Sequence, residues 1–255
     1  MRKYLPGPVK TLAATTAETI RWSENETLNG SAIKQLHLIL TGTDNDVGSI
    51  TGITVFAGGV PIFNLIEEEI SQFLSVYGKR ELAADAATWF TIPFDWMDAA
   101  CALPPNAALR VELVKDNSGA AGTAELAYTV DETVPAACYP LFIASAAGVA
   151  ASSTAASIPI TQPGFLKGLM IPDSADVTTL RLYVQGQMIW NLDTAGFMLA
   201  SQDIYSGVAT TSASKYLFLD SPLPVGPGTR LEINTAAGFG GAAERFGVLT
   251  LVANA

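Results

Sequence analysis

The sequence predicts an all-β protein that consists of two similar eight-stranded sandwiches in tandem. The first observation is an internal repeat, because residues 53–65 (ITVFAGGVPIFNL) return as residues 180–192 (LRLYVQGQMIWNL). These stretches begin 127 positions apart in a chain of 255 residues. The second observation is that residues 109–113 (LRVEL) return as residues 229–233 (TRLEI), 120 positions later. Repetition at about half the chain length indicates a duplicated domain.

Each copy of the first repeat has the pattern of a β-hairpin. In the first copy Ile53, Val55 and Ala57 alternate with other side chains, with the period of two that a pleated strand shows. Gly59 and Gly186 occupy the turn position at which a two-residue hairpin needs a positive φ, and glycine adopts that conformation at the least cost. The repeat therefore predicts one central hairpin in each half of the chain.

A short helix is predicted after each central hairpin. In residues 65–77 the apolar side chains share one helical face, and three glutamates occupy the first turn, where the helix dipole favours negative charge. Gly78 is placed to end this helix. Residues 193–206 give a weaker helical pattern at the matching place in the second half. The apolar positions of the first helix are Ile66, Ile70, Phe73, Leu74 and Tyr77.

The repeats divide the chain into four predicted parts. Residues 1–11 form an N-terminal arm, residues 12–134 the first sandwich and residues 158–255 the second. The Ala- and Ser-rich residues 135–157 between them predict a connection. Neither a signal peptide nor a membrane-spanning helix is expected, because prolines interrupt every long apolar run.

Composition limits the classes of function. The chain is 49% hydrophobic and 15% charged, against a typical charged share of about 25%. So much uncharged surface predicts a large protein–protein interface. The net charge of −10 argues against direct binding of nucleic acid, which needs a basic face for the phosphates.

The N-terminal arm is the one basic stretch of this acidic chain. Arg2, Lys3 and Lys10 carry its positive charges. One interpretation is a frayed terminus, the usual fate of such ends. The other is a membrane-facing arm that lies against an anionic surface such as lipid head groups.

Few residues suggest chemistry. Asp44 and Asp46 flank Asn45 in a way that faintly resembles a calcium loop, but the glutamate that such a loop needs downstream is missing, so a solvated turn is favoured. A structural divalent cation is left open, and no other cofactor is predicted. His37 has no nameable catalytic partner, which favours a half-exposed or interface position. Cys101 and Cys138 show no disulfide framework or metal-ligand spacing and are expected to be free thiols in a reducing compartment.

The duplicated strand–Gly–strand units at residues 55–63 and 182–190, the helix after the first of them and the chain length carry a family resemblance. The chain resembles the double-jelly-roll major capsid proteins of tailless, membrane-containing bacteriophages, the corticoviruses and tectiviruses, and more distantly adenovirus hexon. The resemblance covers nearly the whole chain. The length of the chain is similar to that of the small corticovirus-like members.

This resemblance implies a structural protein without catalytic residues. Three copies would form a pseudo-hexagonal homotrimer, and trimers would tile an icosahedral virion shell over an internal lipid membrane, with the N-terminus facing inward. The expected partners are the chain itself, penton and minor capsid proteins, and the inner membrane. The protein would be made in the host cytoplasm and located in the virion.

Two other classes of function stay open at this point. A carbohydrate- or receptor-binding β-sandwich, such as a viral spike or a lectin-like protein, would use tryptophans as stacking platforms. An enzyme is not predicted, because the chain has no histidine cluster, no G-x-S-x-G turn and no Cys/His metal set. A pair of catalytic carboxylates forms only in space, and the sequence does not exclude it. The four tryptophans are Trp22, Trp89, Trp96 and Trp190.

Overall fold

The computed structural model describes most of the chain and shows a β-protein. Within the described ranges the chain forms seventeen strands and a short 3-10 turn, Val47–Ser49. The described residues are 2–24, 31–45, 47–66, 69–70, 73, 87–95, 101–105, 107–132, 136–146, 153–172, 177–193, 195–196, 214–236 and 245–253. The strands are β1 (Arg2–Leu5), β2 (Val9–Leu12), β3 (Glu18–Glu24), β4 (Ala32–Thr41), β5 (Ile50–Ala57), β6 (Val60–Ile66), β7 (Ala87–Pro93), β8 (Leu109–Lys115), β9 (Gly122–Asp131), β10 (Cys138–Ala146), β11 (Ala155–Ile160), β12 (Gly164–Pro172), β13 (Val177–Val184), β14 (Gln187–Asp193), β15 (Ser214–Val225), β16 (Thr229–Thr235) and β17 (Arg245–Ala253).

The chain divides into two compact units. The first unit is Met1–Pro140 with Ala253–Ala255, and the second is Leu141–Val252. In the first unit one sheet has the strand order β7-β4-β9, with β1 and β2 both paired to the free edge of β9. The other has the order β6-β5-β8-β3, with antiparallel pairs throughout.

The second unit repeats this topology strand for strand. Its sheets have the orders β15-β12-β17-β10 and β11-β16-β13-β14. Each of these strands follows its counterpart in the first unit by eight places, so that β10–β17 match β2–β9 and β1 is an addition. The predicted tandem of eight-stranded sandwiches is confirmed by this correspondence, which an internal duplication explains.

The two central hairpins match in detail. The first turns through Gly58 and Gly59, with φ of 58° and 83°, and the second through Gln185 and Gly186, with φ of 50° and 82°. Both hairpins shift register at the same repeat position, after Val55 in the first and after Leu182 in the second. A bulge kept at one place in both copies shows that backbone geometry was duplicated together with the apolar pattern.

The two turn glycines give a matched stability test. Gly59→Ala and Gly186→Ala should each lower the free energy of unfolding by about 1–2 kcal/mol, because an L-residue is strained at positive φ. Gly226→Ala is the control, since its φ is not in that region and the added Cβ would meet its nearest atom, Pro163 Cα, at 3.8 Å. Urea denaturation measures all three variants. A control that loses as much as the two turn variants would show that φ is not the cause.

Each unit has its own apolar core. In the first, β8 buries alternate residues, with Leu109, Val111 and Leu113 at 2% exposure or less. Trp22 is buried beside them in the same unit, and its Nε1 donates to the Pro8 carbonyl at 3.0 Å. In the second unit β16 shows the same alternation, with Leu231 among its buried residues.

Several sequence predictions fall at the limit of the described residues. The first predicted helix begins too early, because Leu65 and Ile66 belong to strand β6 and Ile66 is 38% exposed. Glu69, Ile70 and Phe73 are also described, and Ile70 and Phe73 are buried as the predicted apolar face requires. In the second predicted helix, Asp193 belongs to strand β14 and residues 195 and 196 are described. The other residues of the two helices lie outside the described residues, so both helices stay predictions. The bounds of the predicted arm, domains and connection also stay predictions. Strand β10 lies within the stretch expected to connect the domains, and the division between units falls after Pro140.

Candidate functional site

The N-terminal segment is built into the first unit as two edge strands. β1 and β2 pair antiparallel with successive parts of one edge of β9, Leu5 opposite Tyr128 and Val9 opposite Glu125. Gly7 between them has no room for a side chain, because a Cβ there would collide with the Leu126 carbonyl. Leu12 is buried at the end of the segment. The interpretation of a frayed terminus is therefore wrong for residues 2–12.

These two strands place the three basic residues singled out in the sequence along one edge of β9, Arg2 and Lys3 opposite its end and Lys10 opposite Ala124. The Arg2 Nη2 lies 3.4 Å from Asp95 Oδ2, and the Lys3 Nζ lies 3.4 Å from Glu132 Oε1. Both cationic side chains are more than half exposed, at 54% and 52%, and Lys10 on β2 is exposed as well. Exposed ion pairs of this length contribute little to stability, so the cations remain accessible to an external anionic surface.

Tyr4 and His37 lie beside this basic segment. The centroids of their rings are 5.9 Å apart. The pKa of the Tyr4 hydroxyl is raised, mainly by its partial burial and to a smaller extent by the nearby Glu125 carboxylate. His37 is half-buried, with Nδ1 2.8 Å from the Thr91 hydroxyl and Nε2 2.7 Å from the Thr129 hydroxyl. The imidazole thus bridges β7 and β9 across β4, which is a structural role.

Asp44 and Asp46, the two weak candidates for metal ligands, follow β4 in the sequence, and only Asp44 is described. Asp44 is exposed with a φ of 61°, and Asp46 lies outside the described residues. The buried Asn45 between them donates through Nδ2 to the carbonyls of Thr41 at 2.8 Å and Ala120 at 2.9 Å. Among the residues that the structure describes, no three His, Cys, Asp or Glu side chains cluster as metal ligands would. A cation at Asp44 and Asp46 stays an untested prediction.

The cysteines differ from expectation. Cys101 and Cys138 form a disulfide with their Cα atoms 4.9 Å apart, so the prediction of free thiols is wrong. Their 37-residue separation carries no spacing signal. A parallel bridge between the two cysteines brings the segment before β8 beside the start of β10, a pairing of distant segments that alternation of apolar residues does not reveal.

The second strands of the two hairpins differ in burial although their sequences match. Ile62 is 2% exposed in the first unit, whereas its equivalent Ile189 is 44% exposed in the second. Phe63 is 1% exposed, whereas its equivalent Trp190 is only half-buried. β14 ends its sheet and also exposes Met188 at 52%. This apolar surface, Met188 with Ile189 on β14, is a candidate for covering by another protein surface.

The outer faces of the two matching sheets keep the same polar arrangement. The Arg110 guanidinium stacks over Phe56 at 3.9 Å, and at the equivalent positions Arg230 stacks over Tyr183 at 4.1 Å. Glu112 and Glu232 follow two residues after these arginines at 3.7 and 2.9 Å. The two arginine–aromatic pairs lie beside the two bulges and join neighbouring strands, so they support the local geometry of each sheet, whereas each Arg–Glu pair lies within one strand.

The tryptophans that the alternative carbohydrate-binding function would use lie in different environments. Trp22 is buried and cannot stack on a ligand, Trp89 is 39% exposed, and Trp96 lies outside the described residues.

In the described part of the chain, no helix is both long and apolar enough to cross a bilayer.

The duplicated topology defines a class of protein, the double jelly roll. No protein-family model and no curated protein matches the chain by sequence. Solved structures do match: the major capsid protein P2 of bacteriophage PM2 aligns with a TM-score of 0.66 and 12% identity over 100% of this chain and 98% of that one. The major capsid protein of Sulfolobus turreted icosahedral virus aligns with a TM-score of 0.68 and 10% identity over 99% and 97%.

A third match comes from a virus of another kind. The capsid protein VP54 of PBCV-1 aligns with a TM-score of 0.57 and 10% identity over 99% of this chain and 93% of that one. The predicted resemblance to double-jelly-roll major capsid proteins is confirmed by these full-length matches. At identities of 10–12%, these structural alignments show that the chain shares the fold of those proteins.

Proposed function

We propose that the protein is the major capsid protein of an icosahedral virus, made in the host cytoplasm and located in the virion. The observation that supports this proposal is that structural alignment with known capsid proteins spans both jelly rolls of the chain. Three copies form a pseudo-hexagonal homotrimer, since two equivalent units per chain supply six similar units. Trimers tile the shell together with penton and minor capsid proteins, and an internal lipid membrane lies beneath.

The exposed apolar surface of β14 supports self-assembly. Met188 and Ile189 sit on the edge strand of a sheet, and a soluble protein normally blunts such an edge with charge or proline. The equivalent Ile62 in the first unit is buried. Among the described strands, β14 pairs with β13 alone, and a neighbouring copy that covers it would bury its apolar side chains.

Ile189→Lys tests this assignment directly. We expect the variant to remain folded by circular dichroism but to shift from trimer to monomer in size-exclusion chromatography with light scattering, because a buried charge at an interface costs several kcal/mol (roughly 2–5). Thr178→Lys is the control, an exposed position on β13 of the same sheet. A trimer that survives Ile189→Lys would remove β14 from the interface. A monomeric wild-type chain would contradict the capsid proposal itself.

The N-terminal strands provide the membrane-facing surface in this proposal. Arg2, Lys3 and Lys10 are exposed along one sheet edge and stay fixed there by pairing with β9. Anionic lipid head groups attract such residues by about 1 kcal/mol each. The attraction comes from a rigid basic edge, and no free arm has to extend.

A charge-neutralised variant measures this attraction. Arg2→Gln/Lys3→Gln/Lys10→Gln should bind vesicles of phosphatidylserine and phosphatidylcholine up to about a hundredfold more weakly than wild type at low salt, with no loss of fold. Arg21→Gln/Lys167→Gln/Arg181→Gln removes as many charges from strands β3, β12 and β13 and is the control. Equal weakening by both triple variants would mean that net charge alone matters, and unchanged sedimentation would refute the membrane-facing role.

A further inference from the structure

The two cysteines are aligned by contacts that do not need the disulfide. The Ala102 amide donates to the Cys138 carbonyl at 3.0 Å, and the Leu103 amide donates to the Ile33 carbonyl at 2.9 Å. Ala32, Ala102 and Ala136 pack together as a small buried cluster beside them. The Ala102–Cys138 bond and the alanine cluster join the two segments without using the sulfur atoms, so we expect the reduced chain also to fold with Cys101 and Cys138 adjacent.

The cysteines differ in access, and a buried cation lies beside the backbone of Cys101. Cys101 is fully buried, whereas Cys138 is half-buried. Lys34 is 1% exposed, and its Nζ donates to the Cys101 carbonyl at 3.2 Å. A neighbouring ammonium favours the thiolate form of a cysteine, which is the form that attacks a disulfide.

We propose that Cys101 and Cys138 form a redox modification site that closes after synthesis and locks the start of β10 to the segment before β8. Thiols stay reduced in a glutathione-rich cytosol and oxidise outside it. The timing rests on the proposed function, because a capsid protein is made in the cytoplasm and then leaves it within a particle. The site serves as a lock that strengthens the first unit once the protein has left the reducing compartment.

The closing reaction is a thiol–disulfide exchange with a small-molecule disulfide such as oxidised glutathione. The Cys138 thiolate attacks one sulfur of the reagent, a mixed disulfide forms and one glutathione thiolate leaves. The Cys101 thiolate then attacks the Cys138 sulfur, and the second glutathione thiolate leaves. The two cysteines lose two electrons to the reagent, and their two protons end on the two released glutathiones.

Thiol trapping on the full-length chain tests the timing. Cells that express the protein in the cytosol are quenched in acid, free thiols are alkylated, and intact mass is measured. Two alkyl groups per chain are expected from the cytosol, and none after the purified protein has been incubated with oxidised glutathione. A disulfide already complete in the quenched cells, or a mixed disulfide that never resolves, would overturn the proposal.

The role of Lys34 as a positioning residue has its own readout. In Lys34→Met the conversion of the mixed disulfide into the closed disulfide should slow roughly fivefold near neutral pH and depend more steeply on pH there, because without the nearby positive charge a smaller fraction of Cys101 is thiolate. Lys34→Arg keeps a positive charge and should restore most of the rate, which separates the charge effect from a packing defect. Equal rates in Lys34→Met and wild type would refute the role. Disulfide closure is measured on the isolated chain and does not require a trimer. If the disulfide closes as expected but the chain does not form trimers, the capsid proposal is contradicted and the proposal of a redox site is not.

Discussion

Phe63→Ala is expected to lower the free energy of unfolding by about 3–5 kcal/mol, the usual cost of removing a buried aromatic ring. Phe63 is 1% exposed on β6 and packs edge-to-face against Phe73, with ring centroids 5.1 Å apart. Alanine at position 63 leaves a cavity beside Phe73 and removes the contact between the two rings. Guanidinium denaturation followed by circular dichroism measures the loss as a shift of the midpoint.

The duplication supplies the control for this prediction. Trp190→Ala changes the equivalent position of the second unit, where the larger ring is only half-buried against its core. The loss should be smaller, about 1–2 kcal/mol, because less apolar surface leaves water on folding. Equal losses at the two positions would mean that the burial of the two hairpins does not differ in solution.

The features of the fold that repeat could be predicted from the sequence. Gly59 and Gly186 mark the two hairpins, and alternating apolar residues on either side of Arg110 and Arg230 mark the strands that pair with them. A local signal that occurs twice at matching positions is much stronger than either occurrence alone. Such local patterns predict the two central hairpins and the duplication, whereas the jelly-roll topology was predicted from the family resemblance.

Burial at the candidate interface could not be predicted in the same way. Ile62 and Ile189 are the same residue at the same repeat position, yet one is buried and the other is 44% exposed. What covers a strand depends on elements distant in sequence, which a local pattern does not contain. The pairing of β1 and β2 with β9 is of the same kind, because more than a hundred residues separate Arg2 from its partner Asp131. Residues 1–11 carry no signal for this partner, so the sequence alone predicts a frayed or membrane-facing arm.

Removal of the disulfide is expected to destabilise the protein by about 4 kcal/mol, the loop-closure cost for a separation of this size. The bond joins residues 37 positions apart, and it restricts the unfolded chain far more than the already aligned native segments. The Cys101→Ala/Cys138→Ala variant should therefore melt roughly 10 °C below the oxidised wild type in calorimetry. Alanine is preferred to serine because a hydroxyl at the fully buried position 101 would carry its own cost.

The reduced wild type separates the bond from the side chains. In dithiothreitol it should melt close to the double alanine variant, and dithiothreitol should leave the variant unchanged. Both forms should still give a folded spectrum at 25 °C, because the backbone bonds at Ala102 and Leu103 and the core of the first unit do not depend on the sulfur atoms. If the reduced chain were unfolded, the cysteines could not be aligned before they oxidise, and the disulfide would be a requirement for folding in place of a later lock.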